Sequence, residues 1–206
     1  MASHLRQSIM AGELAPGASV RAEAVGEALD VSATPVREAL HALRAEGFLE
    51  LVPRKGFTVR PLVADDIRDI FEAHALVAGE LAARAAVRIT DEQIAELGEN
   101  QKRLMEAAQR GDKGQLDKLN DGFHRAVYLA SGSERLRWAL GNFVKYVPTA
   151  FYAQISGWPE ITAQDHSAVY EAVVSRDPEA ARSAMSQHIR NSGEKLAEYF
   201  EQRQSA

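Results

Sequence analysis

The residues whose types and spacing could do chemistry are three histidines and an asparagine. Asn120 and His124 stand four residues apart in KLNDGFHRAVYLA, so on a helix they share a face, beside the apolar stripe of Leu116, Leu119, Phe123 and Val127. Polar groups on an apolar face need partners, because burying them unpaired is costly. His166 and His188 lie eleven residues on either side of Asp177, and Asp177-Pro178 reads as a helix N-cap followed by a first-turn proline. Two helices folded back about that turn bring both histidines to one level, each about 16 Å along the axis at 1.5 Å per residue. Three imidazoles and one amide oxygen converging inside a helical bundle suit a divalent transition metal such as Zn²⁺, Ni²⁺ or Mn²⁺, with positions open for water or ligand. Taken singly, each histidine reads as a core residue bonded to a backbone carbonyl; the joint spacing favours the metal. Asp117 and Asp121 are alternative oxygen donors with the helical register against them.

A second constellation lies in LDVSATPVREALHALRAEGFLE, residues 29 to 50. Arg37, His41 and Arg44 recur at i, i+4 and i+7, opposite a buried stripe of Val36, Ala39, Leu40 and Leu43. The helix carrying them is expected to begin near Pro35 with Thr34 as its N-cap, since proline disfavours the α conformation in the residue before it. Ahead of it, Ala22, Val25 and Leu29 mark a short helix with an apolar stripe, and Asp30-Val31 is a turn. Helix, tight turn and helix with a basic outer face is the arrangement that lays a recognition helix in the DNA major groove. The apolar runs FLELV and GFTV then flank Pro53-Arg54-Lys55-Gly56, a β-hairpin with a basic tip, which makes the unit a winged helix. A solvated arginine stripe explains the helix alone; turn, helix and wing together favour nucleic acid.

These groups need elements to position them. A chain of 206 residues with 46% apolar and 26% charged residues reads as an ordinary globular protein of one or two domains. The net charge of −5 argues at first against a polyanionic partner. Its distribution does not: residues 1–60 hold Arg6, Arg21, Arg37, Arg44, Arg54, Lys55 and Arg60 against Glu13, Glu23, Glu27, Asp30, Glu38, Glu46 and Glu50, so the acidic excess lies beyond them. There is no cysteine, no apolar run of membrane-spanning length and no signal-peptide pattern in MASHLRQSIMAGEL, so a cytoplasmic location without a membrane partner is expected.

Up to about residue 60 the elements are short and the punctuation is dense, from Pro16-Gly17 to Pro61. Beyond it come long helical stretches: Asp65 to Ile89, Asp91 to Arg110, about 114–130, about 134–150, about 162–176, and one from Asp177-Pro178. The fold expected is mainly α: an N-terminal winged helix-turn-helix over residues 1–60 and a C-terminal all-α six-helix bundle over residues 65–203, joined near Pro61.

The segment MAGELAPGASV followed by LDVSATPVREALHALRAEGFLELVPRKGFTV resembles the DNA-binding domain of GntR-family bacterial transcription regulators over residues 3 to 60. The resemblance implies that Ser32, Thr34 and Arg37 contact the operator and that the Arg54-Lys55-Gly56 wing supports them. Many members carry arginine where this chain has Ala33, and an Arg–guanine pair contributes about 1–3 kcal/mol of base discrimination, so a different operator base is expected there. Residues 65 to 200 resemble the FCD ligand-binding domain of one GntR subgroup, through NDGFH and DHSAVYEAVVSRDPEAARSAMSQH. That resemblance implies a metal held by Asn120, His124, His166 and His188, since such sites use an aspartate or asparagine four residues before the first histidine; Asn120 is a neutral and weaker donor than aspartate.

It further implies an effector pocket beside the metal for a small organic acid whose carboxylate completes the coordination. The first helix of such domains commonly offers arginine and, four residues later, glutamate; here His74 and Ala78 stand instead. Either His74 takes over, or the effector is another kind of molecule, or His74 is a plain helix histidine. Tyr146, Tyr152 and Trp158 are aromatics of the bundle with no assigned role.

The function expected is a ligand-responsive transcription regulator, a repressor rather than an activator, binding a palindromic DNA operator as a homodimer. The rivals are a metal-dependent enzyme, because three histidines around an open metal can activate water, and a metal sensor. Against catalysis, no glutamate stands beside a ligand histidine in an H-E-x-x-H arrangement.

Overall fold

The computed structural model describes residues 1–147 and 155–204. The chain divides into two compact units, Met1–Leu62 and Val63–Ala206.

The first unit holds three helices and a small sheet: α1 (Ala2–Ala11), β1 (Ser19–Val20), α2 (Ala22–Ala28), α3 (Ala33–Ala45), β2 (Leu49–Val52) and β3 (Gly56–Val59). The strands lie in the order β1-β3-β2, all antiparallel, with Glu50 opposite Thr58 and Leu51 opposite Phe57. Leu5, Ile9 and Met10 of α1, Val36, Leu40 and Leu43 of α3, and Phe48, Leu49 and Val59 form one buried core. Arg6 reaches from α1 to Glu46 at 2.6 Å with both side chains mostly buried, so this arginine belongs to the scaffold. Gly26 lies where α2 meets the following turn; a Cβ there would stand 2.7 Å from the Val31 carbonyl oxygen.

Three details differ from the expectation. Helix α3 starts at Ala33, with Ser32 as the extended N-cap, so Thr34 and Pro35 sit inside the first turn. A proline is tolerated there because the first-turn amides have no intrahelical acceptors, and this outweighs its mild restriction on Thr34. Leu29 is exposed, not part of a buried stripe, because α2 ends at Ala28 and the chain turns through Asp30 at φ 52°. Helix α1 and strand β1 add to the elements anticipated.

The second unit contains α4 (Ala64–Arg88), α5 (Asp91–Arg110), α6 (Lys113–Ala130), α7 (Glu134–Val144), α8 (Trp158–Val174) and α9 (Pro178–Gln204). Local chemistry sets their ends. Thr90 and Gln93 form a reciprocal capping box at α5, Gly111 closes that helix in the left-handed conformation at φ 67°, and Asp112 caps α6. Asp177 Oδ1 accepts from the amides of Glu179 and Ala180 and starts α9. Helix α7 stops at Val144, short of the expected residue 150, in tight turns from Tyr146 to Phe143 and from Val147 to Val144. Pro148 disfavours helix in the residue before it; residues 148–150 and Tyr152 lie outside the described residues. Helix α8 begins at Trp158, earlier than the expected residue 162, with His166 inside it.

Helices α4 and α9 run antiparallel along a seam of ion pairs in which Arg68 meets Glu194, Glu72 meets Arg190, and Glu80 meets Arg182. They approach closely at Gly79, where a Cβ would lie 2.2 Å from Ser186 Oγ, and at Gly193, where it would meet the Phe71 side chain at 2.5 Å. Helices α4, α6, α8 and α9 enclose the core of Ile67, Phe71, Phe123, Val169, Met185 and Leu196.

Candidate functional site

Inside the second unit, α6, α8 and α9 bring His124, His166 and His188 together. Nε2 of His188 lies 3.1 Å from Nε2 of His124 and 3.2 Å from Nε2 of His166. Hydrogen bonding accounts poorly for this arrangement, because one imidazole nitrogen has a single proton or a single lone pair and cannot make two good bonds to two like nitrogens. Three lone pairs aimed at one point account for it better. Nitrogens bound to zinc at about 2.0–2.1 Å in a tetrahedron stand about 3.3 Å apart. Among the described residues this is the group of side chains with metal-ligand atoms that converge, and no Asp or Glu oxygen joins it. Asp121 points to the exposed side of α6 and Asp117 is half-buried; neither belongs to the group.

Asn120, one turn before His124, is 8% exposed, and its Oδ1 is buried without a hydrogen-bond partner. An unsatisfied acceptor at this place is what an amide ligand to a cation would leave when described without it. The donor set and this orphaned oxygen fit a divalent transition metal. The site's outer contacts hold the rings. Tyr128 Oη faces His124 Nδ1 at 3.2 Å, and Asp165 Oδ2 lies 3.5 Å from His188 Nδ1 while accepting from Asn191 Nδ2 at 2.8 Å. At that distance Asp165 is near His188 Nδ1 without a hydrogen bond to it, and the nitrogen is left buried and unpartnered. The His166 ring stacks on Phe123 at 4.0 Å.

Burial, with the nearby His188 second, holds His124 and His166 well below the ordinary histidine range, so both present neutral, lone-pair-bearing rings. His74 of α4 senses the same interior. It is 4% exposed, neither ring nitrogen has a hydrogen-bond partner, and burial together with His188 pushes its pKa down to about 3. Ala78, one turn on, is fully buried. Thr162, one turn before His166, also carries a buried hydroxyl without a partner. Sequence spacing does not single out Asp165, Tyr128 or Thr162, although Asp165 directly precedes His166 and Tyr128 follows His124 by one turn. Trp158 is buried and Tyr146 half-buried in the same unit.

On the first unit, Ser32, Thr34, Arg37, His41 and Arg44 are all exposed along α3 and its cap, and Arg54, Lys55 and Gly56 are exposed at the β2–β3 tip. The tip is a turn closed by Lys55 N–H donating to the Val52 carbonyl at 3.1 Å, with Arg54 at φ 68° and Gly56 at φ 80°. Ser19 Oγ of β1 donates to the Lys55 carbonyl at 3.0 Å, so the added strand braces the wing. His41 meets the ring of Phe57 edge-on at 5.0 Å, tying helix to wing. Arg37 is ion-paired with Glu23 of α2 on the exposed surface, and a backbone amide, followed by Arg37, keeps the Glu23 carboxyl below its usual range. Glu23 is a member of this face that helical spacing within α3 does not reveal.

An exposed helix and basic wing on one unit, with a buried donor cluster in a helical second unit, define a DNA-binding regulator with a helical effector domain. Residues 1–59 match the model of the bacterial regulatory proteins of the gntR family, and residues 69–191 match the FCD domain. The chain is 27% identical over 195 residues to the HTH-type transcriptional repressor RspR of Escherichia coli, covering 93% of this chain and 85% of that one. It is 30% identical over 182 residues to the "Probable D-xylose utilization operon transcriptional repressor" of Paenarthrobacter nicotinovorans, covering 88% and 80%. Among solved structures, E. coli McbR/YncC matches with a TM-score of 0.73 and 25% identity, covering 97% and 96%. The chain belongs to the GntR family of bacterial transcription regulators, in the group that carries an FCD domain. It is a regulator and not an enzyme, which removes the catalytic reading of the histidines. No helix among the described residues is long and apolar enough to cross a membrane.

Proposed function

We propose that this regulator is a repressor working in the cytoplasm, binding a palindromic operator as a homodimer and releasing it when a small organic acid reaches the histidine site. Ser32, Thr34, Arg37 and Arg44 would face the major groove, with His41 bracing the wing and Arg54, Lys55 and Gly56 approaching the backbone beside it. Asn120, His124, His166 and His188 would hold a divalent metal, Zn²⁺, Ni²⁺ or Mn²⁺. When bound, the metal supplies a Lewis-acidic position that a carboxylate can occupy. His74, with two unpaired ring nitrogens beside the cluster, would hold the effector's remaining polar groups.

The observation that carries this reading is the convergence of three imidazole nitrogens in the bundle, with a buried, unpartnered amide oxygen on Asn120 one turn before His124. For the homodimer, Leu76, Val87 and Trp138 are large apolar side chains exposed on α4 and α7, helices that pack on each other. Exposed apolar groups on adjoining helices favour a self-complementary two-fold contact. The effector must bind the two arrangements of the dimer with different affinity, since equal affinity shifts nothing.

The test is a shift assay with metal-loaded protein on DNA from immediately upstream of its own gene, followed by a panel of small carboxylates. A specific shift relieved by one of them is expected. A shift that no carboxylate relieves, but that free metal alone switches, would replace the organic acid with the metal as signal.

A further inference from the structure

An acidic side chain stands on the same exposed face as Arg37. Glu23, in the first turn of α2, pairs with Arg37, in the second turn of α3, and both side chains are largely exposed. The contact runs from Nη2 of Arg37 to one carboxylate oxygen, Oε1, of Glu23. A guanidinium has five N–H donors and a carboxylate about four acceptor positions, so both heads keep capacity for a further partner. A backbone amide, then Arg37 and more weakly Arg21 at the α2 cap, keep Glu23 ionised. A carboxylate in a first turn also favours its helix through the helix dipole, which accounts for Glu23 on α2 but not for its pairing with an arginine of α3. On a surface that meets phosphates, such a charge weakens binding to DNA of any sequence. Its place beside Arg37 therefore suits a contact that selects sequence.

We propose that Glu23 reads DNA sequence together with Arg37: with Arg37 on a guanine, Glu23 accepts a hydrogen bond from the N4 amine of a cytosine in the adjoining base pair. This deepens the reading of α3 as the recognition helix and rests on it. Stacked pairs are about 3.4 Å apart, so two head groups in contact meet neighbouring pairs. Arg37 matches guanine O6 and N7 with two parallel bonds. In the major groove the base donors are cytosine N4 and adenine N6. Adenine sets its N7 acceptor beside that amine, where it repels a carboxylate; cytosine has no acceptor there. Neither base contact consumes the atoms that join Arg37 to Glu23, so the pair survives on the bases and each member aims the other.

The experiment selects bound duplexes from a random library with full-length wild type, Glu23→Gln, Glu23→Ala and Arg37→Ala, and sequences them. Wild type is expected to enrich a guanine next to a pair that presents cytosine to Glu23. Glu23→Ala should flatten the cytosine position and keep the guanine. Glu23→Gln should shift that position towards adenine, because a glutamine amide matches adenine N6 and N7. Arg37→Ala should lose the guanine. In a single selected duplex, exchanging that cytosine for 2-pyrimidinone, which lacks the N4 amine, should weaken wild type by about 5-fold, the low end of the span for a base contact, and leave Glu23→Ala unmoved. The same base preferences in wild type and both Glu23 variants would overturn the inference and leave α3 as the reader. Guanine enrichment that survives Arg37→Ala, or no sequence enriched by wild type, would overturn the reading of α3 and this inference with it. Glu23→Gln, which keeps a hydrogen-bonding head of the same length, decides the matter if Glu23→Ala fails to fold.

Discussion

The two polar sites of this molecule obey opposite electrostatics. On the first unit, Arg37 and Glu23 are 60% and 68% exposed, and their pairing is a contact in water that a phosphate can displace. In the second unit, His74, His166 and His188 are buried, and their polar atoms pair poorly or not at all within the chain. A surface site stays ready for a polyanion because its charges are already solvated. A buried site whose donors remain unsatisfied is instability retained at a place where a ligand can satisfy it. Under the proposed function the difference separates two roles: recognition would lie on the surface that is already solvated, and control would lie where buried donors are left unsatisfied.

The sharpest way to break this contrast is Arg37→Ala. In the proposed dimer, with one copy per half-site and about 1–3 kcal/mol for each base contact, operator affinity should fall by about 2–6 kcal/mol. Circular dichroism should show unchanged helical content, since Arg37 is outside the buried core. Unchanged operator affinity in a shift assay would remove α3 as the recognition element.

Acid should find the second unit first. His74, His124 and His166 have folded pKa values below their unfolded ones, so protons bind the unfolded chain preferentially and stability is full only above pH 6.5. As pH falls from 6.5 towards about 3, where His74 titrates in the folded state, each such histidine should remove about 1.4 kcal/mol per pH unit. Denaturant titrations of metal-free protein at stepped pH measure this slope. A flat profile across that window would mean that the imidazoles are solvated or paired.

His74→Phe separates a plain core histidine from an effector contact. Replacing a buried, unpartnered ring with an apolar one of similar shape should be neutral or should stabilise by about 1–3 kcal/mol in thermal unfolding. Release of DNA by the effector should weaken at the same time. A stabilised variant with an unaltered effector response would leave His74 no role in sensing.

The smallest effect is expected at Glu23→Gln, which frees Arg37 and removes an acidic group from the surface proposed to face DNA. Non-specific DNA affinity should rise a few-fold, with a steeper salt dependence, while operator preference narrows. No change in either would make the Glu23–Arg37 pair incidental.

Much of both sites could be read from periodicity. The i, i+4, i+7 spacing of Arg37, His41 and Arg44 against Val36, Leu40 and Leu43 fixes which face of α3 is wet, and that follows from sequence alone. The equal distance of His166 and His188 from the Asp177 cap places both rings at one level of a helical hairpin, and their Nε2 atoms stand 3.2 Å apart. What periodicity could not supply was long-range. Strand β1 is two residues long and exists because β3 offers it an edge, so no local signal marks it. Glu23 meets Arg37 across two helices, and Asp165 and Tyr128 gain meaning only once the rings beside them are oriented. Helix ends were misplaced where a proline's local preference competed with neighbouring turns, at Pro35 and before Pro148.

The measurement that tests the central claim most directly is the metal content of full-length protein purified without chelator, by atomic spectroscopy, beside His188→Ala. The account predicts about one divalent transition-metal ion per wild-type chain, as for a single three-histidine site, and close to none in the variant. Equal content in the two proteins, or none in wild type after loading with zinc and acetate, would contradict it.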